Sequence, residues 1–186
     1  MIVPEFFKFN SLISVPLFSA IAFLLIRKAE GFSFRKHTIS MSVNLLNRQT
    51  LSFIFRSNFI LKAILDLGFH LYVINYFKIP IFSPVAMSLI LSAVLFGLLA
   101  IFIEGKYSFI HKLIIYSSGI LWATAQFFIV KFLKDNNFIL FTYIAVSIPV
   151  FLGLGFLFVK KTNVLIQIIC LSIWYVWLIL FVFKYL

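Results

Sequence analysis

The stretch NFILKAILDLGFH, residues 58–70, carries an amide or ionisable side chain at every fourth position of an otherwise apolar segment. Because an α-helix has 3.6 residues per turn, side chains four positions apart lie on one face. The segment therefore predicts a helix with a single polar stripe about 18 Å long. The stripe consists of Asn58, Lys62, Asp66 and His70.

The composition of the whole chain indicates that this helix lies in a membrane. Hydrophobic residues fill 63% of the 186 positions, and charged residues fill 11%, whereas soluble domains carry about 25% charged residues. A soluble chain of this length would still expose roughly 30% of its surface after folding. Polar groups are too few here to cover such a surface, so we predict an integral membrane protein.

Six apolar segments reach the length of about 20 residues that a membrane-spanning helix requires. Only short connections separate the last four segments, which predicts antiparallel neighbours in one bundle. The predicted fold is therefore all-α, a single transmembrane domain of six helices over residues 1–186. The helices are expected at about 9–27, 50–77, 82–104, 107–133, 137–159 and 163–184.

Lys and Arg concentrate on one side of the predicted bundle. The long first connection carries five of them, namely Arg27, Lys28, Arg35, Lys36 and Arg48. Four more belong to the same side, namely Lys106, Lys112, Lys160 and Lys161, which makes nine against five on the opposite side. Cytoplasmic loops carry an excess of Lys and Arg. We therefore predict a multi-pass cell-membrane protein with both termini on the non-cytoplasmic side.

The net charge of +11 does not by itself indicate a nucleic-acid partner. The basic residues lie at the ends of the apolar segments, as positive-inside anchoring requires, and the chain carries no RNA-binding motif. Nucleic acid is therefore not a predicted partner.

The polar stripe allows two interpretations. A charge at the centre of a bilayer costs at least about 2.5 kcal/mol, so Lys62 and Asp66 are expected to face the bundle interior. In the structural interpretation, these two residues form an ion pair, while Asn58 and His70 hydrogen-bond to neighbouring helices. In the functional interpretation, which we favour here, the stripe is a polar site, because ionisable residues at membrane depth mark functional sites. Base before acid is also the weaker order for a helical ion pair.

A second candidate site lies at the predicted cytoplasmic boundary. Arg56, Asn58 and His111 all fall at that level, and the guanidinium group of Arg has the planar geometry that binds phosphate. A basic pocket between helices on the cytoplasmic side can hold a phospholipid headgroup. We predict a headgroup site there, although ordinary positive-inside anchoring would produce the same pattern.

Signatures of catalysis are few. His70, Asp66 and His111 are residue types that bind zinc, but His70 is expected about 20 Å from the cytoplasmic end of its helix, whereas His111 lies near that end. P-loop, dinucleotide-binding and serine-hydrolase motifs are absent from the sequence. We predict no metal and no cofactor, and the sequence leaves open whether the protein is an enzyme.

Three short motifs, together with the six-helix layout, carry a resemblance to known proteins. The motifs are HTIS at 37–40, FRSNFILKAILDLG at 55–68 and EGKYSFIH at 104–111, with Ile39, Ser40, Asn58 and His111 as the shared positions. The chain resembles small prokaryotic six-helix membrane proteins related to the damage-regulated autophagy modulator and to the post-attachment GPI-lipid-remodelling proteins. This resemblance implies residence in a membrane and a role in lipid handling, without a defined catalytic set.

The predicted function is to bind, move or remodel a lipid with a polar headgroup. One alternative is a small proton-coupled transporter that uses Asp66 and His70. Another is a non-catalytic subunit that docks its stripe on a larger membrane complex. The expected partners are membrane lipids, and a partner membrane protein or a second copy of the chain stays open.

Overall fold

Helices make up the fold of the chain, which we describe from a computed structural model over residues 3–105, 107–159 and 163–186. These residues form no β-strand. The α-helices are α1 (Asn10–Ile26), α2 (Gln49–Tyr76), α3 (Pro84–Leu98), α4 (Ser108–Ile129), α5 (Asn136–Val159) and α6 (Val164–Tyr185). Short 3-10 helices occupy Glu5–Phe9, Ser40–Leu45 and Val130–Phe132.

Consecutive helices pack against each other, and α6 closes the bundle against α5 and α1. The connection of residues 27–48 lies across one end of the bundle, which we call the loop end. There the side-chain amide of Asn44 donates to the carbonyl of Glu104, and the backbone N–H of Val164 donates to the carbonyl of His37 at 2.9 Å. The loop end thus gathers residues 27–48, the α3–α4 connection and the start of α6.

Local hydrogen bonds mark where several helices begin. Ser83 accepts from the N–H of Ala86 at the start of α3, and Asn163 accepts from the N–H of Ile166 at the start of α6. Such side-chain caps satisfy N–H groups that have no partner within the helix. Asp135 does the same for α5 by accepting from Phe138.

Asp135 also ties the two helices of the opposite end together. Its second oxygen accepts hydrogen bonds from Lys184 at 2.6 Å and from Tyr185. The hydrogen bond from Lys184, followed by that from Tyr185, holds the pKa of the Asp135 carboxyl well below its usual range. The start of α5 is therefore fixed to the end of α6 by a carboxylate that stays ionised.

Aromatic packing forms the core at the end that lies opposite the loop end. Trp177 is fully buried, and its ring stacks on Phe181 with centroids 4.8 Å apart. Its indole N–H donates to the hydroxyl of Thr142 at 2.8 Å, which joins α6 to α5. Phe138 packs against the same ring. A second cluster, built around Phe18, Phe55, Phe59, Leu99 and Ile103, fills the bundle toward the loop end.

The observed helices agree with the predicted segments except at α3. This helix was expected to continue to about residue 104, but it ends at Leu98 and the chain then runs through turns. The apolar sequence continues to Ile103, so composition gives no sign of the end. The carbonyl of Phe102 instead turns toward the ring of His111, 2.7 Å from Nδ1.

Five helices in the described part of the chain are long and apolar enough to cross a membrane. Helix α3, with 15 residues, is about 22 Å long, whereas the hydrocarbon core of a bilayer is about 30 Å thick. The all-helical fold is therefore confirmed. Six membrane-spanning helices stay a prediction, because only five helices meet the length and composition that a span requires.

Candidate functional site

A cavity of about 300 Å³ lies inside the bundle, lined by all six helices and by the connection at the loop end. Most of its walls are apolar, with side chains such as Val15, Phe59 and Ile115. Charged and hydrogen-bonding groups concentrate in two places. The first is the mid-bundle pair, Lys62 and Asp66; the second, which we call the loop-end cluster, consists of Thr38, Ser40, Glu104 and His111.

The mid-bundle pair is an ion pair within α2. The ammonium group of Lys62 donates to one oxygen of Asp66, and its nitrogen lies 5.0 Å from the centroid of the Phe96 ring. The other carboxylate oxygen accepts from the hydroxyls of Ser11, at 2.9 Å, and Ser14. Both charges are therefore compensated by α1, α2 and α3, as the structural interpretation of the stripe requires.

The two outer members of the stripe have different surroundings. Asn58 is buried against α1, where its amide donates to the carbonyl of Phe18 at 3.0 Å, and it does not line the cavity. His70 does line the cavity and stacks on Trp122 with centroids 4.9 Å apart. Its Nδ1 atom is buried and has no hydrogen-bond partner among the described residues. Three of the four stripe residues therefore face the cavity.

The loop-end cluster joins three segments that are far apart in sequence. The hydroxyl oxygen of Ser40 lies 2.9 Å from Nε2 of His111 and 2.9 Å from Oε2 of Glu104. Thr38 donates to the same carboxylate oxygen. His111 is 2% exposed and Glu104 is 8% exposed. An acid, a base and a hydroxyl group thus meet in a buried position on the cavity wall.

A glycine in the α3–α4 connection positions Glu104. Gly105 has φ of +106° and lies close to Asn44, whose Nδ2 would be 2.6 Å from an added Cβ. Only glycine fits such a backbone without strain. The tight turn carries Glu104 under the 3-10 helix that starts with Ser40, so that the carboxylate meets the hydroxyl groups.

Comparison with protein-family models, with curated proteins and with solved structures finds no match. The resemblance to the lipid-remodelling proteins therefore stays a prediction. What the cavity does must be argued from its own chemistry.

The structure does not bring together the residues of the predicted headgroup site. Arg56 is exposed and lies in a separate surface hollow with Gln49 and Ser52, whereas Asn58 is buried against α1. Residues two positions apart on a helix point to different faces, which separates these two side chains. His111 alone of the three lines the cavity.

Sequence inspection assigned Ser40, Thr38, Glu104 and Gln167 to no site, although Ser40 was one of the motif positions that carry the resemblance. Gln167 accepts a hydrogen bond from the N–H of Ile39 at 2.9 Å through Oε1 and lines the cavity beside the cluster. A further signal was available, since Glu104 is an acid at the end of an apolar segment, next to a glycine. Within residues 3–105, 107–159 and 163–186, no three His, Cys, Asp or Glu side chains lie close enough to hold a metal ion.

Proposed function

We propose that the protein binds a membrane lipid in the cavity. The polar headgroup lies at the loop-end cluster, and an acyl chain lies against the apolar walls. One observation carries the proposal, namely a single cavity that joins a charged, hydrogen-bonding end to apolar walls inside an apolar bundle. A lipid has the same division between a polar and an apolar part. Ligand pockets span roughly 300–1,000 Å³, so this cavity suits a headgroup with the first part of a chain.

Two buried polar atoms on the cavity wall support the presence of a ligand. Nδ1 of His70 and Nε1 of Trp174 lack hydrogen-bond partners in the described part of the chain, and both side chains line the cavity. Buried polar groups are nearly always hydrogen-bonded in folded proteins. A bound molecule that carries polar groups away from its headgroup as well would supply the partners.

The transporter alternative has less support from the geometry. Both oxygens of Asp66 accept hydrogen bonds, one from Lys62 and the other from Ser11 and Ser14. The carboxylate is therefore held in place by donors of α1 and α2. The transporter and subunit functions both stay predictions.

All six helices belong to the membrane in this proposal. Helix α3 packs between α2 and α4, and its outward side chains include Met87, Leu91 and Val94, which are exposed. Contact with lipid explains why the outer face of this short helix is apolar, because large apolar patches are rarely exposed to water.

The loop end is proposed to face the cytoplasm, since it carries most of the basic residues. Lys106, Lys160 and Lys161, which enter that count, lie outside the described residues. Lys36 at the loop end and Lys134 at the other end are both exposed and can be replaced by Cys in a Cys170→Ser background. A membrane-impermeant maleimide is expected to label Lys134→Cys in intact cells and Lys36→Cys only after permeabilisation. The reverse labelling pattern would show that the loop end faces away from the cytoplasm.

Filling the cavity is expected to expel the lipid. Gly119 lines the cavity, and a Cβ at this position would lie 3.5 Å from the nearest atom, in the ring of Trp174. Gly119→Leu therefore places a side chain in the cavity without a clash at Cβ, and Leu favours the helix by up to about 1 kcal/mol over Gly. Mass spectrometry of the protein purified in mild detergent should show several-fold less bound lipid than in the wild type.

Arg56→Ala is the matched control, because this residue lies on α2 outside the cavity. Its lipid content should equal that of the wild type. Equal lipid content in the Gly119→Leu variant, with thermal unfolding unchanged, would contradict binding in the cavity.

A further inference from the structure

The position of the protons in the loop-end cluster follows from the acceptor that His111 faces. Nδ1 of His111 lies 2.7 Å from the carbonyl oxygen of Phe102. A carbonyl oxygen can only accept, so Nδ1 carries a hydrogen and donates it. In the neutral ring, Nε2 is then a hydrogen-bond acceptor. It lies 2.9 Å from the hydroxyl oxygen of Ser40, whose one hydrogen is also within reach of Oε2 of Glu104 at 2.9 Å. The Phe102 carbonyl thus fixes the neutral tautomer in which Nε2 can accept the proton of Ser40 once the hydroxyl turns from Glu104 to His111.

This arrangement of hydroxyl, imidazole and orienting group is the one that activates a serine nucleophile. The signature is a nucleophile within about 2.6–3.2 Å of a base that a third group orients. Here Ser40, His111 and the Phe102 carbonyl supply the three parts. The carboxylate of Glu104 lies 3.9 Å from Nε2 and stabilises the positive charge that His111 gains with the proton.

We infer that the loop-end cluster is an acyl-transfer centre in which Ser40 is the nucleophile, His111 is the general base, and the substrate is an ester-linked membrane lipid. The inference rests on the proposed function, because a lipid in the cavity would bring its ester group to Ser40. Both catalytic side chains line the cavity whose walls would hold the acyl chain.

The reaction proceeds in two balanced steps. In the first, Oγ of Ser40 bonds to the ester carbonyl carbon while its proton passes to Nε2 of His111. The bond from that carbon to the alcohol oxygen then breaks, and the alcohol leaves with the proton from His111. In the second, water or the hydroxyl of another lipid attacks the acyl-serine by the same route, which restores Ser40 and releases an acid or a new ester.

Gln167 is the side chain that would stabilise the negative oxygen formed in each step. Its Oε1 is held by the N–H of Ile39, the residue before the nucleophile, and the side chain lines the cavity. Side-chain amides are among the donors that serve this role in acyl transfer.

A long-chain alkyl fluorophosphonate tests the nucleophile directly. Attack by Ser40 forms an oxygen–phosphorus bond and expels fluoride, so the adduct is stable and can be assigned by peptide mass spectrometry. The wild-type protein in mild detergent is expected to carry the adduct on Ser40, and Ser40→Ala should carry none. Ser40 in His111→Gln should react at least about 100-fold more slowly than in the wild type, because a general base contributes about 100-fold or more.

The matched control is Ser42→Ala. Ser42 is buried on the same 3-10 helix, but its hydroxyl donates to the carbonyl of Ile39 and it does not line the cavity. This variant should be labelled at Ser40 as fast as the wild type. Wild-type protein that unfolds cooperatively and yet carries no adduct on Ser40 would overturn the inference, and so would equal rates in folded His111→Gln. If His111→Gln does not fold, labelling of the wild type at Ser40 decides the question.

The lipid content of the same samples separates the two proposals. If Ser40 is not labelled but Gly119→Leu loses bound lipid, acyl transfer is contradicted and lipid binding in the cavity is supported. If Ser40 is labelled but Gly119→Leu keeps its bound lipid, binding in the cavity is contradicted and the assignment of Ser40 as the nucleophile is supported.

Discussion

Trp177→Ala is expected to lower the free energy of unfolding by about 3–5 kcal/mol, the range for a large aromatic side chain removed from a packed core. Trp177 is fully buried and packs against Phe138 and Phe181. Its loss leaves a cavity among these rings and removes the hydrogen bond to Thr142. Thermal or denaturant unfolding in detergent would measure the loss.

Trp174→Ala is the matched comparison on the same helix, one turn earlier. Trp174 is only partly buried, lines the cavity and has no hydrogen-bond partner for Nε1 in the described part of the chain. Its removal enlarges a space that already exists, so the loss of stability should be much smaller than for Trp177→Ala. Equal losses would show that the Trp177 cluster is not the core of that end of the bundle.

The sequence predicted the helices well because length and apolar composition are the features that membrane insertion requires. The bounds of α2, predicted at about 50–77, are observed at Gln49–Tyr76. The end of α3 could not be predicted, since residues between Leu98 and Glu104 are as apolar in the turns as in a helix. In an apolar solvent, composition does not separate a helix from a buried turn.

The sequence predicted contacts of the candidate site only between residues that lie close together in the sequence. Lys62 and Asp66 are four residues apart, so helical periodicity alone brought them together. Ser40 meets Glu104 from 64 positions away and His111 from 71 positions away. Serine is also a common residue in apolar helices and loops, so nothing in its type marks it. Contacts of this kind are set by how the connection of residues 27–48 folds over the bundle end.

Asp66→Leu is expected to cost about 3–5 kcal/mol of stability, because it leaves the buried ammonium group of Lys62 without its partner. Lys62 is 8% exposed, and Asp66 is its hydrogen-bond acceptor in the described part of the chain. Lys62→Met should cost less. The carboxylate it leaves behind keeps the hydroxyl donors of Ser11 and Ser14.

The double variant Lys62→Met, Asp66→Leu should recover most of the stability, since replacing a whole buried ion pair by apolar residues is often nearly neutral. This double variant distinguishes the structural interpretation of the polar stripe from the functional one. The charged atoms of the pair bond to each other and to the serines of α1, so we expect the double variant to keep wild-type lipid content and labelling of Ser40. Recovered stability with the lipid lost would instead make the pair part of the binding site. In that case the headgroup would reach from the loop-end cluster down to the centre of the bundle, and His70, one turn beyond Asp66, would be the next residue to contact it.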